Sequence, residues 1–418
     1  MIYDLIIIGG GAAGLFAGAL LPGKVNGLIL EKSAAPGKKL LMSGGGQCNL
    51  THGGSIKDFV FHYGENGGRI RSLLYQANNL VMQEFFETRG ISLMEREDGK
   101  VFPRSLRSKE VRDMLLACCL TNGVSLETNA NVFEIAKTSS IYAIRCNEKK
   151  YQGKNLLIAT GGCSYPQTGS DGKFFDLLKT MNLEVREPKP ALVPIYVADY
   201  PYGALAGISF EEAKATIRGR DGRKKAERAE PLLLTHEGFS GPVILNLSRY
   251  AEPGDVLEIS CCKGIREEAL LRKLTERQPG NPRQLFTVLH ECLNELHGEK
   301  GGTLPKRFLE ELCHRAKEDP ARKFASVSGK TLKTIVSSLI ADRHSISRTG
   351  GFESAMVTSG GVVLDEVDLK TMECKKYPGM FFAGEVLDID GDTGGYNLQF
   401  AFSSAKLAAA EIHGKNQV

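Results

Sequence analysis

The chain contains no tryptophan, and aromatic residues fill only 7% of its 418 positions. That scarcity removes the usual materials of a base-stacking platform and of an aromatic membrane belt. No run of ~20 apolar residues is present, so no helix long enough to cross a bilayer is expected. Cysteine occurs at positions 48, 118, 119, 146, 163, 261, 262, 292, 313 and 374, never in a C-x-x-C or C-x4-C spacing. Neither a metal knuckle nor a redox dithiol is therefore expected, and unpaired thiols fit a reducing cytoplasm. Met1-Ile2-Tyr3-Asp4 lacks a basic start, and the apolar run Leu5–Ile8 ends at once in three glycines, which argues against a secretory leader. The Asn-x-Ser/Thr sequons at Asn49 and Asn246 are accordingly read as chance. Net charge is +4, mild and evenly spread along the chain, so no nucleic-acid partner is expected. A cytoplasmic protein without membrane partners is foreseen; oligomeric state is not legible.

What is present is a globular composition, 42% hydrophobic, long enough for roughly two to three domains. Tyr3–Ile8 is a short apolar run of the kind buried in a parallel sheet, Ala12–Leu21 a helix, and Val25–Leu30 a second strand. Helical spacing follows over Val81–Arg89 and Ser108–Leu120, and strands over Val132–Glu134, Ile141–Cys146 and Asn155–Ala159. Character changes near Pro188–Pro194. A β-rich stretch follows, with a hairpin turn at Arg220-Asp221-Gly222-Arg223. Between Ile265 and Asp342 the pattern is helical, with starts at Pro282, Pro305 and Ser328. Strands return after Gly350-Gly351, and a last helix runs from about Asn397 to His413. The expected α/β architecture is a Rossmann-like domain split in sequence (1–189 and 351–418). Into it are inserted a β-rich domain (190–264 with 336–350) and a helical domain (265–335).

Gly9-Gly10-Gly11-Ala12-Ala13-Gly14 satisfies G-x-G-x-x-G between a strand and a helix. Each glycine has its own reason: Gly9 for the tight turn, Gly11 for the approach of a pyrophosphate, Gly14 for close helix–strand packing. The pyrophosphate would lie on the N–H groups of the helix start, where the dipole favours negative charge. Glu31 follows 17 residues after Gly14 at the end of the second strand. A carboxylate there accepts from ribose hydroxyls and repels a 2′-phosphate, which points to FAD or NAD.

Three further features select FAD. The loop Pro36–Asn49 carries Lys39, which can reach a phosphate, and Gly44-Gly45-Gly46, whose bare backbone can lie against a flat ring. Ala159-Thr160-Gly161-Gly162 closes a buried strand beside the glycine turn. The segment Phe381–Leu398 delivers Glu385 to ribitol hydroxyls, and Gly394-Gly395 opens a helix whose N–H groups would face the flavin O2.

Lys38–Thr51, Thr358-Ser359-Gly360-Gly361-Val362 and Gly384–Ala401 resemble a bacterial flavoprotein family that includes aminoacetone oxidase and a bile-acid enone reductase. Leu234–Pro242 in the insertion shares the likeness. The resemblance implies a fumarate-reductase-type FAD fold carrying a β-barrel-like and a helical domain. It implies cofactor contacts from Gly9, Gly11, Ala12, Ala13, Gly14, Glu31 and Lys32 on the adenosine side. Lys39, Leu40, Gly46, Cys48 and Asn49 would contribute from the loop, and Val132, Thr160 and Gly161 from the middle strands. Gly384, Glu385, Asp390, Gly395, Tyr396, Asn397 and Leu398 would complete the set. Two departures stand out: Gln47 replaces the usual Arg before Cys48-Asn49, altering charge near flavin or substrate, and Ala405 replaces a Gly.

No second G-x-G-x-x-G exists, so NAD(P)H, where used, docks transiently as a co-substrate at the flavin face. Gly329-Lys330-Thr331 ends like a P-loop, but Phe324 stands at its first Gly. His236-Glu237 fails H-E-x-x-H at Ser240, and Pro242 breaks G-x-S-x-G. His236 and Ser240 have two readings, a lid that binds substrate over the flavin or a helix start with Ser240 as N-cap. Cys48 is either beside the ring or a buried small residue. Arg104 either meets an anionic substrate or is solvated, and the basic run Arg218–Arg228 reads as an exposed ribbon. The expected function is hydride transfer between flavin N5 and a small organic substrate. Enone reduction with NAD(P)H and amine or aminoketone oxidation with O2 both remain open, as does a flavin-bearing RNA-binding or redox-sensing protein.

Overall fold

The computed structural model describes residues 1–262, 264–297 and 304–417. By compactness the chain divides into one unit of Met1–Ala191 with Phe352–Val418 and another of Leu192–Gly351.

The first unit is built on a nine-stranded sheet. Its centre is parallel, running Met380–Phe382, Lys149–Ile158, Ile2–Ile8, Gly27–Leu30, Val124–Glu127. Leu5 to Ile8 and Gly27 to Leu30 are buried throughout, as strands covered on both faces must be. Ile8 pairs with Leu30 and with Ile158, so three strand ends stop side by side, and the glycine turn leaves from that edge. The helix Ala12–Leu20 has no charged residue and buries seven of its positions. One of its partners is the C-terminal helix Tyr396–Gln417, with Phe16 meeting Phe402 edge-on at 5.5 Å. Two strands exceed their expected range: Val132–Thr138, and Lys149–Ile158 where only Asn155 onward was foreseen. Their extra residues, which include Lys137, Lys149, Lys150 and Lys154, belong to an antiparallel ribbon with one wet face, which the search for apolar runs passes over.

The second unit holds a closed barrel of six strands, Ile195–Val197, Gly238–Ser240, Lys224–Leu234, Ser209–Arg218, Val256–Ser260 and Asp342–Thr349. The foreseen hairpin at Arg220–Arg223 joins two of them. The helices Glu267–Arg277, Leu285–His297, Lys306–Arg315 and Gly329–Ile340 contribute to the same hydrophobic core as the barrel. Ser328 caps the last of these by accepting from the Thr331 N–H. Asp342 is one of the charged residues buried inside: Arg315 reaches it at 3.0 and 3.1 Å, His344 Nε2 at 2.7 Å, and the Tyr202 hydroxyl donates to it. Although burial opposes ionisation, those partners hold its carboxyl down at about 2.

Dividing the chain this way corrects one reading of the sequence. Acidic and basic residues balance in the first unit, so the whole net charge of +4 falls on residues 192–351.

Candidate flavin site

The glycine turn has the three properties its spacing demands. Gly9 has φ +103°, and a Cβ there would lie 2.4 Å from the Ala159 carbonyl oxygen. A Cβ at Gly14 would lie 2.0 Å from the Gly9 oxygen, whereas one at Gly11 would meet nothing within 4 Å. The turn is thus closed against the protein at Gly9 and Gly14 and open at Gly11. Gly11 caps the helix without a side-chain hydrogen bond, which leaves the first N–H groups and the positive end of the dipole for an anion. Ala12 and Ala13 begin that helix, and Ala13 lies where a side chain at Gly384 would touch it, at 2.7 Å.

Glu31 is buried, and its two oxygens accept from the Gly10 N–H at 2.8 Å and the Ser33 N–H at 2.6 Å. A carboxylate retains further lone-pair positions after two such bonds, so ribose hydroxyls can still be accepted. Lys32 is committed to Asp171 at 2.6 Å. Val132 lies in the sheet, 8% exposed.

Glu385 is the hub of the middle of the site. Its carboxylate accepts from Lys39 Nζ at 2.5 Å, Ser164 Oγ at 2.6 Å and the Thr358 N–H at 2.8 Å. Thr358 Oγ1 also accepts from the Cys163 N–H at 2.7 Å. Lys39, expected to reach a phosphate, is thus ion-paired to Glu385. Ser164 and Thr358 were not among the sequence candidates; the Thr358–Val362 segment was noted only for its likeness. On the neighbouring strand end, Gly161 is left-handed (φ +73°), and Thr160 Oγ1 is buried with no hydrogen-bond partner among the described residues. An orphaned hydroxyl beside an open glycine turn is the signature of a missing polar ligand.

Gly44, Gly45 and Gly46 all have positive φ, and a Cβ at Gly45 would meet nothing within 4 Å. Leu40 anchors the loop, 2% exposed. Cys48 is fully buried, and burial raises its thiol to about 12. Burial, then the Glu385 charge, raises Cys163 to about 11, so neither thiol supplies a thiolate. Oriented by its surroundings, the Asn49 amide donates to Thr51 O at 3.0 Å and accepts from the Gly395 N–H at 3.1 Å. Loop and C-terminal segment are thereby joined, and Gly395 packs so close that a Cβ would lie 2.5 Å from the Thr51 carbonyl carbon.

The Asn397 side chain bonds in both directions with the Gly391 backbone, at 2.8 and 2.9 Å, and so shapes the Asp390–Gly395 turn. Asp390 and Leu398 are half-buried. Tyr396 starts the C-terminal helix, with its ring stacked on His62 at 4.0 Å and near-parallel to His52 at 5.4 Å. His62 Nδ1 lies 3.1 Å from Asp392 Oδ2. This imidazole–carboxylate pair escaped the sequence reading, because no spacing links residues 330 apart.

Arg104 is exposed. His236 and Ser240 belong to the Leu192–Gly351 unit, His236 exposed in the turn where Thr235 Oγ1 and the Gly238 carbonyl bond at 2.8 Å. Ser240 is not an N-cap. It ends a strand opposite Leu233, and Gly241 occupies the cap because φ +87° and a Cβ 2.7 Å from the Leu233 N exclude a side chain. Among the described residues no group of acidic, His and Cys side chains could hold a metal.

The stretch 3–411 matches the model of a family described as HI0933-like protein Rossmann domain. The chain belongs to this family. Among relatives of this chain is the ribosomal RNA dihydrouridine synthase of Haemophilus influenzae, 30% identical over 97% of this chain and 98% of that one. The 3-dehydro-bile acid delta(4,6)-reductase of Clostridium scindens is 29% identical over 96% and 97%. In fold, the chain is similar to a 3-ketosteroid-delta4-(5alpha)-dehydrogenase from Rhodococcus jostii, with a TM-score of 0.50 at 15% identity over 97% and 96% of the two chains. The HI0933-like protein is an FAD-dependent oxidoreductase. The open Gly11 cradle, the orphaned Thr160 hydroxyl and the bare Gly44–Gly46 backbone fit that cofactor.

Proposed function

We propose that the protein reduces a carbon–carbon double bond conjugated to a carbonyl, and that its substrate is uracil in structured RNA. The observation that carries the reading is the bond shared by two relatives over nearly their whole lengths. Making dihydrouridine saturates the ring double bond beside a uracil carbonyl, and a delta(4,6)-reductase of a 3-dehydro acid saturates double bonds conjugated to a ketone. The confinement of the net positive charge to residues 192–351 favours a polyanion as the larger partner. A small planar enone is the second reading, favoured by the bile-acid relative.

FAD, when bound, supplies the two-electron carrier, with hydride leaving from N5. The chain's own residues do the rest. Gly11 and the start of the Ala12–Leu20 helix take the pyrophosphate, Glu31 the ribose, and the Lys39–Glu385–Ser164 cluster with Thr160 the ribitol side. The dipole of the C-terminal helix, which starts at Tyr396, favours negative charge near its N-terminal end. His62 and Asp392 can hold a proton at Nδ1 beside that end.

Anaerobic stopped-flow tests the reading. NADH or NADPH should bleach the flavin, and the bleached protein should then be reoxidised by an unmodified ribosomal RNA transcript, with dihydrouridine found by nucleoside mass spectrometry. Reoxidation by a steroid enone alone selects the second reading. Bleaching by amines and not by nicotinamides overturns both.

A further inference from the structure

Against the Gly44–Gly46 loop of the flavin site packs a cation, Arg96, that has no ion-pair partner among the described residues. Arg96 lies in the tight turn between the strands Leu93–Glu95 and Lys100–Pro103, where the Arg96 N–H donates to the Lys100 carbonyl at 3.0 Å. Its guanidinium stacks on the Phe102 ring at 4.0 Å, and Nη2 donates to Gln47 Oε1 at 2.6 Å. Phe102 is buried, and a Cβ on Gly44 would sit 3.3 Å from its ring. Arg96, Phe102, Gly44 and Gln47 therefore form one packed group, with the open backbone of Gly45 beside it.

The electrostatics are unbalanced. Arg96 is half-buried, and its one side-chain acceptor among the described residues is a neutral amide. The acid that feels its charge, Asp98, is ion-paired to Lys100 at 2.6 Å. Lys39, a cation of the loop itself, is ion-paired to Glu385. A partly desolvated guanidinium has five donors in a fixed fork, and an oxyanion satisfies them far better than an amide. Stacking and the Gln47 bond hold the fork in place before any ligand arrives, which lowers the entropy cost of binding.

From this we infer that Arg96 is a substrate-binding residue that takes an oxyanion of the substrate beside the flavin. The proposal rests on the reading above for where the substrate sits. A phosphodiester flanking the target base and a carboxylate on a small enone present the same planar or near-planar pair of oxygens to the fork.

Binding experiments on the FAD-loaded protein distinguish the sources and test the role. The probes are a uridine-containing RNA oligonucleotide, the same oligonucleotide with uncharged methylphosphonate linkages, a steroid enone bearing a carboxylate, and its methyl ester. Titrations followed by flavin absorbance should show a preference for one charged probe over its neutral partner. Arg96→Met should weaken that charged probe roughly tenfold to a hundredfold and leave the neutral one unchanged. Arg96→Lys should recover part of the loss, since the charge remains and the fork is gone. Arg145→Met, an exposed arginine outside the site, serves as the control. Thermal melting and flavin content should match the native protein in both Arg96 variants. Equal weakening of charged and neutral probes, loss of flavin from the variants, or a native protein indifferent to charge on both probes overturns the proposal. A charge preference that vanishes in Arg96→Met while neither probe is ever reduced supports the site and instead overturns the proposed reaction.

Discussion

The two units handle polar groups in opposite ways. In the unit of Met1–Ala191 with Phe352–Val418, backbone is left open at the candidate site: an uncapped helix start at Gly11 and bare glycines at 44–46. In Leu192–Gly351, the buried polar groups face one another, with Arg315, His344 and Tyr202 gathered on Asp342. One unit leaves polar capacity open for a ligand, and the other consumes it internally while presenting net charge outward. Open capacity marks a binding site; closed capacity marks a scaffold.

Asp342→Asn breaks the closed side with the largest expected effect. It leaves the partly buried Arg315 without its counter-charge and should cost about 3–5 kcal/mol in denaturant unfolding. Flavin absorbance at ambient temperature should persist. The acid limb follows from the same carboxyl. Its folded pKa, about 2, lies below the usual carboxylate value, so its contribution is complete above roughly pH 4 and is lost as pH falls toward 2. Melting temperature against pH should lose that acid step in the variant.

Gly11→Val probes the open side. The protein has room for the side chain, so apo stability should change by no more than about 1 kcal/mol, whereas the pyrophosphate loses its place. Isothermal titration should give FAD affinity at least about a hundredfold weaker. An apo protein that melts far lower would mean that Gly11 serves packing, and the contrast with Gly14 would fail.

The smallest effect concerns the outward charge. Lys330 and Lys333 are exposed on the Gly329–Ile340 helix, which carries no acidic residue. The cations of the Arg218–Lys225 ribbon, by contrast, have partners such as Glu258, Glu227 and Asp255. Reversing both lysines to Glu should weaken RNA binding by roughly threefold to tenfold and lower the salt slope by about 1 to 2. Reversing Lys224 should do less, as measured by filter binding across salt.

How much could be read in advance follows from where the constraint lies. Gly9, Gly11, Gly14 and Glu31 were legible because a tight turn, a close approach and a helix start are local demands, met within one strand–helix–strand unit. The six-stranded barrel was expected from the family likeness, whereas the residues themselves read only as β-rich sequence, since closure depends on pairing Ile195–Val197 with Asp342–Thr349. The Glu385 hub was half legible: Glu385 and Lys39 stood out singly, but their meeting spans 346 residues and Ser164 carried no mark. Ser240 misled because a serine before proline looks like a cap, while the adjacent glycine takes that position for its left-handed backbone. Gln47 was noticed as a change of charge. The guanidinium that reaches it, from Arg96, was not, because it arrives from a hairpin 49 residues away.

The interruption of the flavin unit by residues 192–351 also has a consequence for the order of synthesis. Gly9–Gly14 and Glu31 leave the ribosome well before Glu385 and the Gly394–Tyr396 turn. The strand Met380–Phe382 must still add to Lys149–Ile158, and the final helix must still cover Ala12–Leu20. A nascent chain thus has the Gly9–Gly14 turn long before the Glu385 cluster can form. On the proposed roles of these residues, a chain arrested before residue 380 should emerge without flavin.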